Sequence, residues 1–445
     1  MSRSSLAARR RRTALGLVFA AGTAAPGSAQ LLQDAPTVMI PPEAPITSVR
    51  SVFARTRETA VADRMLPAFT AQGISVGAFD VFPGLAIGSV YTTNLFANND
   101  DRRDDIALVV RPEVTVRTSA GPYQVAAYAR GDLRRYSTYT SENTEEGLAG
   151  LRGSVAIGAL SSLTAGVSYG SLINPRYAAD SPVAAAKPIE YRALNGFVGG
   201  TIEGSSTRVV FRGDIARLRF SDTPSREGGT LFARDRDRIR YQGLVRIERA
   251  ISPAFSVYAA GSLNKIDYRL PTPGIGTRDS KGFGAYVGSS FELTTLLRGD
   301  VRVGYIRQNF DLAGIRPLSG IGTLATLVYF PNRLWTITAT AQSSIEDSGV
   351  PGSGGFLHRG GSLRGDHELR RYLIASVEGG YFRDTYRGLN RRDSLPYADV
   401  GLTYLSRNHW NARVGYRYLS RDCTCTAGVT NFDDHRVSAT LTFQN

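Results

Sequence analysis

The chain is poor in cysteine, lysine and histidine. Its 445 residues include two cysteines, four histidines and three lysines, against fifty arginines. Two cysteines exclude a disulfide-rich scaffold and an array of zinc fingers. After the first thirty residues no apolar run reaches the ~18 residues of a spanning helix, which excludes a mature helical membrane protein. No P-loop, His-Glu-x-x-His motif or basic helix occurs, so neither metalloprotease chemistry nor nucleic-acid binding is indicated.

The first thirty residues have the three parts of a secretory signal peptide. Residues 9–12 are arginines, residues 14–25 are apolar and residues 27–29 are small. A basic start, a short apolar core and a small-residue exit are typical of such signals. We predict a signal peptide over residues 1–29, cleaved after Ala29. The alternative, a disordered basic tail, rarely carries such an apolar core.

A short segment without regular hydrophobic pattern follows the predicted signal. Pro41, Pro42 and Pro45 favour an extended or mobile chain there. We therefore predict a periplasmic leader over residues 30–74 and one large domain over residues 75–445. Removing five arginines from a net charge of +14 leaves +9, spread over the whole mature chain.

Hydrophobicity alternates with a period of two from residue 75 to the end of the chain. In one example, one face of the predicted strand has Ile106, Leu108, Val110, Val114 and Val116, and the other has Arg111, Glu113, Thr115 and Arg117. Successive side chains of a strand point to opposite faces, so this pattern indicates a strand with one apolar and one polar face. The same pattern recurs in segment after segment, which predicts an all-β protein.

The connections between the predicted strands alternate in length. Eight short turns and nine longer polar links join about eighteen strands, with a range of 16–18. Bacterial outer-membrane barrels have an even strand number, short periplasmic turns and long extracellular loops. We therefore predict a transmembrane antiparallel up-and-down β-barrel in the outer membrane of a Gram-negative bacterium. A soluble sandwich or propeller also has period two, but it does not require this alternation of short and long links.

The start of the predicted barrel has a distinctive set of residues: Asp63, Arg64, Pro67, Gly73, Ile74, Gly77, Phe79, Phe82, Pro83, Tyr91, Asn94, Leu95 and Phe96. With this set the chain resembles the β-barrel porin type 2 family of Gram-negative outer-membrane proteins. Thr93 stands where the family usually has an acid. Members are often encoded beside exopolysaccharide genes, so the resemblance implies a role in polymer export, with polysaccharide and periplasmic export proteins as partners.

The end of the chain carries a second resemblance. Residues 437–443 alternate and finish on Phe443, as in the C-terminal signal recognised by the barrel-insertion machinery. Phe443 is third from the end, whereas the usual signal ends on the aromatic residue. The predicted partners therefore include this machinery and outer-membrane lipid.

The polar positions of the predicted strands would line the lumen and are rich in arginine. The candidate lumen-lining residues are Arg111, Glu113, Arg117, Arg208, Arg212, Asp214, Arg298, Asp300, Arg302, Arg413 and Arg417. Charged side chains select ions in pores, so a basic excess predicts a mild preference for anions or acidic saccharides. The alternative is that these charges neutralise one another across neighbouring strands, which predicts a narrow interior with little conductance.

Few residues suggest other chemistry. Cys423 and Cys425 lie in the last predicted extracellular loop and could form a strained disulfide there, as a staple or as a redox pair. Asp433-Asp434-His435 is the one acid–histidine cluster that suggests chemistry, and a solvated loop end is the simpler interpretation. Residues 98–105 contain many oxygen ligands, but their spacing matches no calcium loop. We predict no metal, no cofactor and no enzymatic activity.

Four functions remain open from the sequence. The first is a channel that takes part in exopolysaccharide export, and the second is a general or anion-preferring diffusion porin. The third is a non-conducting scaffold that binds export partners through residues 30–74, and the fourth is an enzyme at the barrel rim. Eighteen strands leave an aqueous lumen, unless the leader or an inward loop fills it.

Overall fold

The chain forms a closed β-barrel of eighteen long antiparallel strands. The computed structural model describes residues 71–445, except 120, 122, 159, 408–409 and 425–429, and it also describes residues 60, 61 and 69. The predicted signal peptide and most of the predicted leader lie outside the described residues. The first long strand pairs with both the second and the last strand, which closes the sheet.

The strands are labelled β1 to β18 in chain order. The first nine are β1 Phe79–Thr92, β2 Asp105–Thr118, β3 Tyr123–Tyr136, β4 Thr144–Ile157, β5 Ser161–Asn174, β6 Ile189–Glu203, β7 Thr207–Phe220, β8 Arg238–Ser252 and β9 Phe255–Tyr268. The second nine are β10 Ser280–Thr294, β11 Leu297–Phe310, β12 Leu318–Tyr329, β13 Trp335–Asp347, β14 Gly355–Arg370, β15 Leu373–Arg387, β16 Arg392–Leu405, β17 Trp410–Thr424 and β18 Phe432–Gln444.

The smaller elements lie around the barrel strands. A short strand, Ile74–Val76, pairs with the first residues of β1. Thr223–Pro224 pairs with Thr230–Leu231 in the connection between β7 and β8. Two single turns of 3₁₀ helix, Thr140–Glu142 and Arg234–Arg236, lie in connections between strands. Among the described residues, no helix combines the length and apolar character needed to cross a membrane.

The prediction of eighteen strands with alternating links is confirmed. The connections at one end of the barrel are short turns, such as residues 253–254, and those at the other end include long loops, such as residues 221–237. By the rule for outer-membrane barrels, the short turns face the periplasm and the long loops face the outside. The strands run 12 to 16 residues and so exceed the 9–11 expected from the thickness of the membrane. Part of what the sequence indicated as loop is therefore strand, as where β15 continues to Arg387.

The two faces of the sheet differ as the period of two predicts. On β2, Ile106 and Leu108 are about half exposed on the outer face, whereas Ala107 and Val109 are buried on the inner face. Exposed apolar side chains recur on the outer face of every strand, including Leu263 at 69% and Val287 at 61%. Such a surface is unfavourable in water and is matched by the hydrocarbon of a membrane.

Some glycines permit strands and rings to approach closely. A Cβ atom on Gly304 in β11 would collide with the carbonyl oxygen of Ala285 on β10 and press on the backbone of Tyr286. Backbone atoms cannot move aside cheaply, so any larger residue must distort the ladder between these strands. By contrast, a Cβ atom on Gly243 in β8 meets no atom within 4 Å.

We predict that Gly304→Ala lowers the stability of the folded barrel by about 1–3 kcal/mol, the usual cost of overpacking. The measurement is the urea midpoint of the purified barrel in detergent, followed by the mobility difference between folded and unfolded protein on gels. Gly243→Ala is the matched control and should leave the midpoint unchanged. Equal midpoints for the two variants would contradict this account of Gly304.

Candidate functional site: the barrel lumen

The predicted lumen residues lie on the face of the sheet opposite the exposed apolar side chains. Several of them form ion pairs along or across the strands. Arg111 Nε lies 2.8 Å from Asp132 Oδ2, and Arg212 Nη2 lies 2.7 Å from Asp214 Oδ1. Glu113 is exposed and stands opposite Arg130 in the register of β2 and β3.

On the opposite wall one carboxylate serves two arginines. Asp399 on β16 lies 3.3 Å from Arg413 and 2.9 Å from Arg417, both on β17. Asp399 is buried, so its two guanidinium partners offset the cost of removing the charge from water. The structure thus brings Arg413 and Arg417 together through an acid, which makes this wall less basic than the arginines alone suggest.

A larger group of charges is buried on the inner face near the periplasmic end of β7 to β11, and we call it the β7–β11 network. Arg208 lies 3.9 Å from Glu248, and Arg246 lies 3.1 Å from both Glu248 and Asp300. Ser256 Oγ donates a hydrogen bond to Glu248. Arg208 is 1% exposed and Glu248 is fully buried. These groups therefore form a fixed polar layer of the wall.

Arginine side chains also lie over aromatic rings on the inner face. The guanidinium-to-ring distances are 4.3 Å for Arg117 over Phe82, 4.3 Å for Arg212 over Phe197, 3.5 Å for Arg246 over Tyr258, 4.8 Å for Arg302 over Tyr286 and 4.8 Å for Arg298 over Phe330. Such stacking adds favourable energy and holds the guanidinium flat against the wall. The period of two places these arginines inside, and the same inward phase of Phe82, Phe197, Tyr258 and Tyr286 along their strands is the signal that could have predicted their aromatic partners. Phe330 lies in the turn after β12 and has no such signal.

The loop between β5 and β6, residues 175–188, crosses the extracellular mouth of the barrel, and we call it the crossing loop. The carbonyl oxygen of Ala179 accepts a hydrogen bond from Arg391 at 3.2 Å. Arg421 on β17 donates to the carbonyl oxygens of Tyr177 and Ala178 at 3.3 and 3.4 Å. These donors belong to the far wall, so the loop spans the opening.

The near part of the crossing loop is held by ion pairs with other loops. Arg176 makes a two-pronged contact with Glu142, with Nε 2.8 Å from Oε2. Arg236 donates to the carbonyl oxygen of Asp180 at 2.8 Å and also lies beside the Asp180 carboxylate. Burial alone would raise the pKa of this carboxyl, but Arg236 and the amide of Asn174 outweigh it and hold the pKa below its ordinary value. Asp180 is therefore ionised at neutral pH and anchors the loop.

The chain ahead of the barrel touches the inner wall at the periplasmic end. The backbone N–H of Val61 donates to Thr336 Oγ1 at 2.9 Å, and both residues are buried. Gln444 at the end of β18 donates to the carbonyl oxygen of Phe69 at 3.5 Å. The described part of the segment before the barrel therefore contacts the wall and the rim at the end opposite the crossing loop.

Asp434 and His435 of the acid–histidine cluster make separate contacts that hold neighbouring strands together. Asp434 is buried and accepts hydrogen bonds from Thr92 Oγ1 at 2.7 Å and from the backbone N–H groups of Thr93 and Asn94 at 3.1 Å. It thereby ties β18 to the loop after β1 at the seam where the barrel closes. His435 contacts the Tyr416 hydroxyl on the outer face and is not bound to Asp434.

The remaining features carry no site. The Gly-x-Ser-x-Gly spacing at Gly166 to Gly170 is not among the predicted candidates, and Ser168 lies in the middle of β5 and not at a strand-to-helix turn. Within the described residues there is no group of three side chains suited to hold a metal ion. Cys425 lies outside the described residues, so its disulfide with Cys423 stays a prediction.

A closed barrel with an apolar exterior, a charged interior and turns and loops segregated to its two ends defines a porin-like channel protein of the Gram-negative outer membrane. The family model described as Putative beta-barrel porin 2 matches residues 66–445, and the chain belongs to that family. This confirms the resemblance inferred from the start of the barrel. No curated protein matches the chain.

Solved structures with a similar fold include several outer-membrane proteins. The outer membrane protein opdK of Pseudomonas aeruginosa is 14% identical with a TM-score of 0.42, over 82% of this chain and 99% of that one. OpdL of the same organism is 12% identical with a TM-score of 0.43, over 83% and 99%. The ferric enterobactin receptor PfeA is 7% identical with a TM-score of 0.45, over 84% and 81%.

Proposed function

We propose that the barrel conducts anionic solutes, acidic saccharides among them, and takes part in exopolysaccharide export. The observation that carries the proposal is the set of arginines stacked on aromatic rings along the inner face. A guanidinium offers hydrogen bonds and charge to a carboxylate, and the partly exposed rings of Phe82 and Phe197 offer an apolar surface to a sugar. The rings of Tyr258, Tyr286 and Phe330 are buried and only support their arginines. An acidic saccharide presents both features in each repeating unit.

The ion pairs of the inner wall limit the expected selectivity. Arg111, Arg212, Arg413 and Arg417 each have a carboxylate partner, so their charges are largely balanced. Arg117 lies over Phe82, makes no ion pair within the described residues and is exposed to the lumen, although Asp80 stands opposite it in the register of β1 and β2. We therefore expect a mild preference for anions and not strict exclusion of cations.

We predict that Arg117→Glu lowers the anion-to-cation permeability ratio by about twofold, because it reverses a charge that faces the lumen. The measurement is the reversal potential of the purified barrel in a planar bilayer under a salt gradient. The matched control is Arg370→Glu, an exposed arginine at the periplasmic end of β14. Clear cation selectivity of the unmodified barrel, or equal shifts in both variants, would contradict the proposal.

The export role is tested in cells. Deleting the gene should reduce extracellular polysaccharide, and restoring it should recover the polymer. Unchanged polymer with normal membrane integrity would remove the export role and leave an anion-preferring diffusion porin. The crossing loop favours that second function, because it narrows the opening for a polymer.

Deleting residues 30–60 tests the scaffold alternative, since loss of polymer with unchanged conductance would support it.

A further inference from the structure

The outer face of the barrel carries a band of basic side chains at its extracellular end. Arg192 on β6, Arg217 and Arg219 on β7, Lys265 on β9, Lys281 on β10 and Arg307 on β11 all point outward and are exposed. We call these six residues the basic arc. Two of the three lysines in the chain belong to it.

Like charges face one another directly within the arc. Arg192 pairs with Arg219 in the register of β6 and β7, and Lys265 pairs with Lys281 in the register of β9 and β10. Side chains at directly opposed positions have Cβ atoms about 5 Å apart, and like charges there are destabilising. The arc therefore stores a repulsion that an anion between the strands would relieve.

The acidic side chains on this surface do not balance the arc. Lys265 Nζ lies 2.7 Å from Asp267 Oδ2, and Glu190 shares the outer face of β6 with Arg192. Within the described residues, Arg192, Arg219 and Lys281 make no ion pair. Asp279 stands two residues before Lys281, and exposed Asp311 stands four residues after Arg307. Six basic side chains thus face four carboxylates, and a net positive charge remains on this part of the barrel.

The position of the arc relative to the apolar surface identifies the partner. Arg192 is followed two residues later by exposed Leu194, Arg217 is preceded by exposed Ile215, and Lys265 is preceded by exposed Leu263. In each of these three strands, the next outward-facing residue on the membrane side of the basic residue is thus apolar. The same step leads from Lys281 to Phe283 and from Arg307 to Tyr305. A ligand that fits must carry its negative charge directly above hydrocarbon chains.

We propose that the basic arc binds the phosphate groups of the phosphorylated glycolipid that forms the outer leaflet around the barrel. Arginine and lysine pair strongly with phosphate, and clusters of them at a membrane surface attract anionic lipid head groups. The acyl chains of the bound lipid cover the exposed apolar side chains below the arc. The site lies on the outer wall and does not depend on what passes through the lumen.

The test is a titration of the full mature chain in detergent with a bisphosphorylated lipid A probe, measured by native mass spectrometry. We expect Lys265→Gln/Lys281→Gln to raise the dissociation constant by about tenfold or more. Lys265→Arg/Lys281→Arg should keep the affinity. The matched control, Arg249→Gln/Arg370→Gln, removes two exposed charges at the periplasmic end and should bind like the unmodified barrel.

Two further probes separate a lipid site from a simple phosphate site. The same glycolipid without phosphates should bind equally to the unmodified barrel and to the Lys265→Gln/Lys281→Gln variant. Inorganic phosphate should compete only far above the concentration of the lipid. Unchanged affinity in the lysine variant, an equal loss in the periplasmic control, or competition by phosphate at lipid concentrations would each overturn the proposal.

Discussion

Arg421→Gln combined with Gly349→Ala is expected to increase the single-channel conductance about twofold or more. Arg421 holds the far part of the crossing loop through the carbonyl oxygens of Tyr177 and Ala178. A Cβ atom on Gly349 would collide with the carboxylate of Asp180, so the second change displaces the near anchor. With these two contacts weakened, the loop keeps only the contacts of Arg391 and the Arg176–Glu142 pair among the anchors described above. We therefore expect it to narrow the extracellular mouth less, and the current in a planar bilayer to rise.

The choice of these two residues avoids a separate effect on folding. Arg391 also holds the loop, but it pairs with buried Asp393, and its removal would leave that charge unpaired. The matched control is Arg383→Gln combined with Gly147→Ala, which changes an outward arginine and a glycine with free space around it. Equal conductance of the test variant, the control and the unmodified barrel would show that the crossing loop does not limit flow.

Glu248→Ala is expected to destabilise the barrel by about 3–5 kcal/mol, the usual cost of breaking a buried ion pair. Glu248 is fully buried and lies 3.1 Å from Arg246 and 3.9 Å from Arg208. Its removal leaves two guanidinium groups with too few partners inside the wall. The measurement is the urea midpoint of the purified barrel in detergent.

The control for this prediction is an ion pair on the exposed outer face. Glu145 pairs with Arg135 there, and both side chains are well exposed. Glu145→Ala should cost less than about 1 kcal/mol, because water and salt screen such pairs. Similar midpoints for the Glu145 and Glu248 variants would show that the β7–β11 network is solvated and contributes little to stability.

The sequence predicts the barrel well because the patterns that indicate strands and turns each lie within a few consecutive residues. Alternation such as that of Val114, Thr115, Val116 and Arg117 reports the two faces of a strand directly, and the turns are marked by polar residues between such runs. Counting runs and links therefore yields the strand number. The face of each residue follows as well, since a slip by one residue would exchange the lipid-facing and lumen-facing sets, but a slip by two residues would not.

The lumen is predicted less completely because its geometry depends on residues far apart in the chain. The period of two places Arg413 and Arg417 inside, but their shared acid Asp399 is fixed only by the pairing of β16 with β17. The crossing loop has no hydrophobic period at all. Its position depends on contacts such as that between Arg421 and Tyr177, which are 244 positions apart. Nothing in a local window reports such a contact.

The crossing loop has a mechanical consequence for the whole cylinder. A closed sheet resists stretching along its hydrogen bonds, but its circular cross-section can flatten into an ellipse at little cost. A strut between β5 and β17, which are six strands apart around the closed sheet, fixes one chord across the outer rim, whereas Val61 touches the wall at the inner rim. Lateral pressure from the bilayer should therefore deform the middle of the barrel more than its outer rim. Detaching the strut should increase the fluctuations of the rim's cross-section.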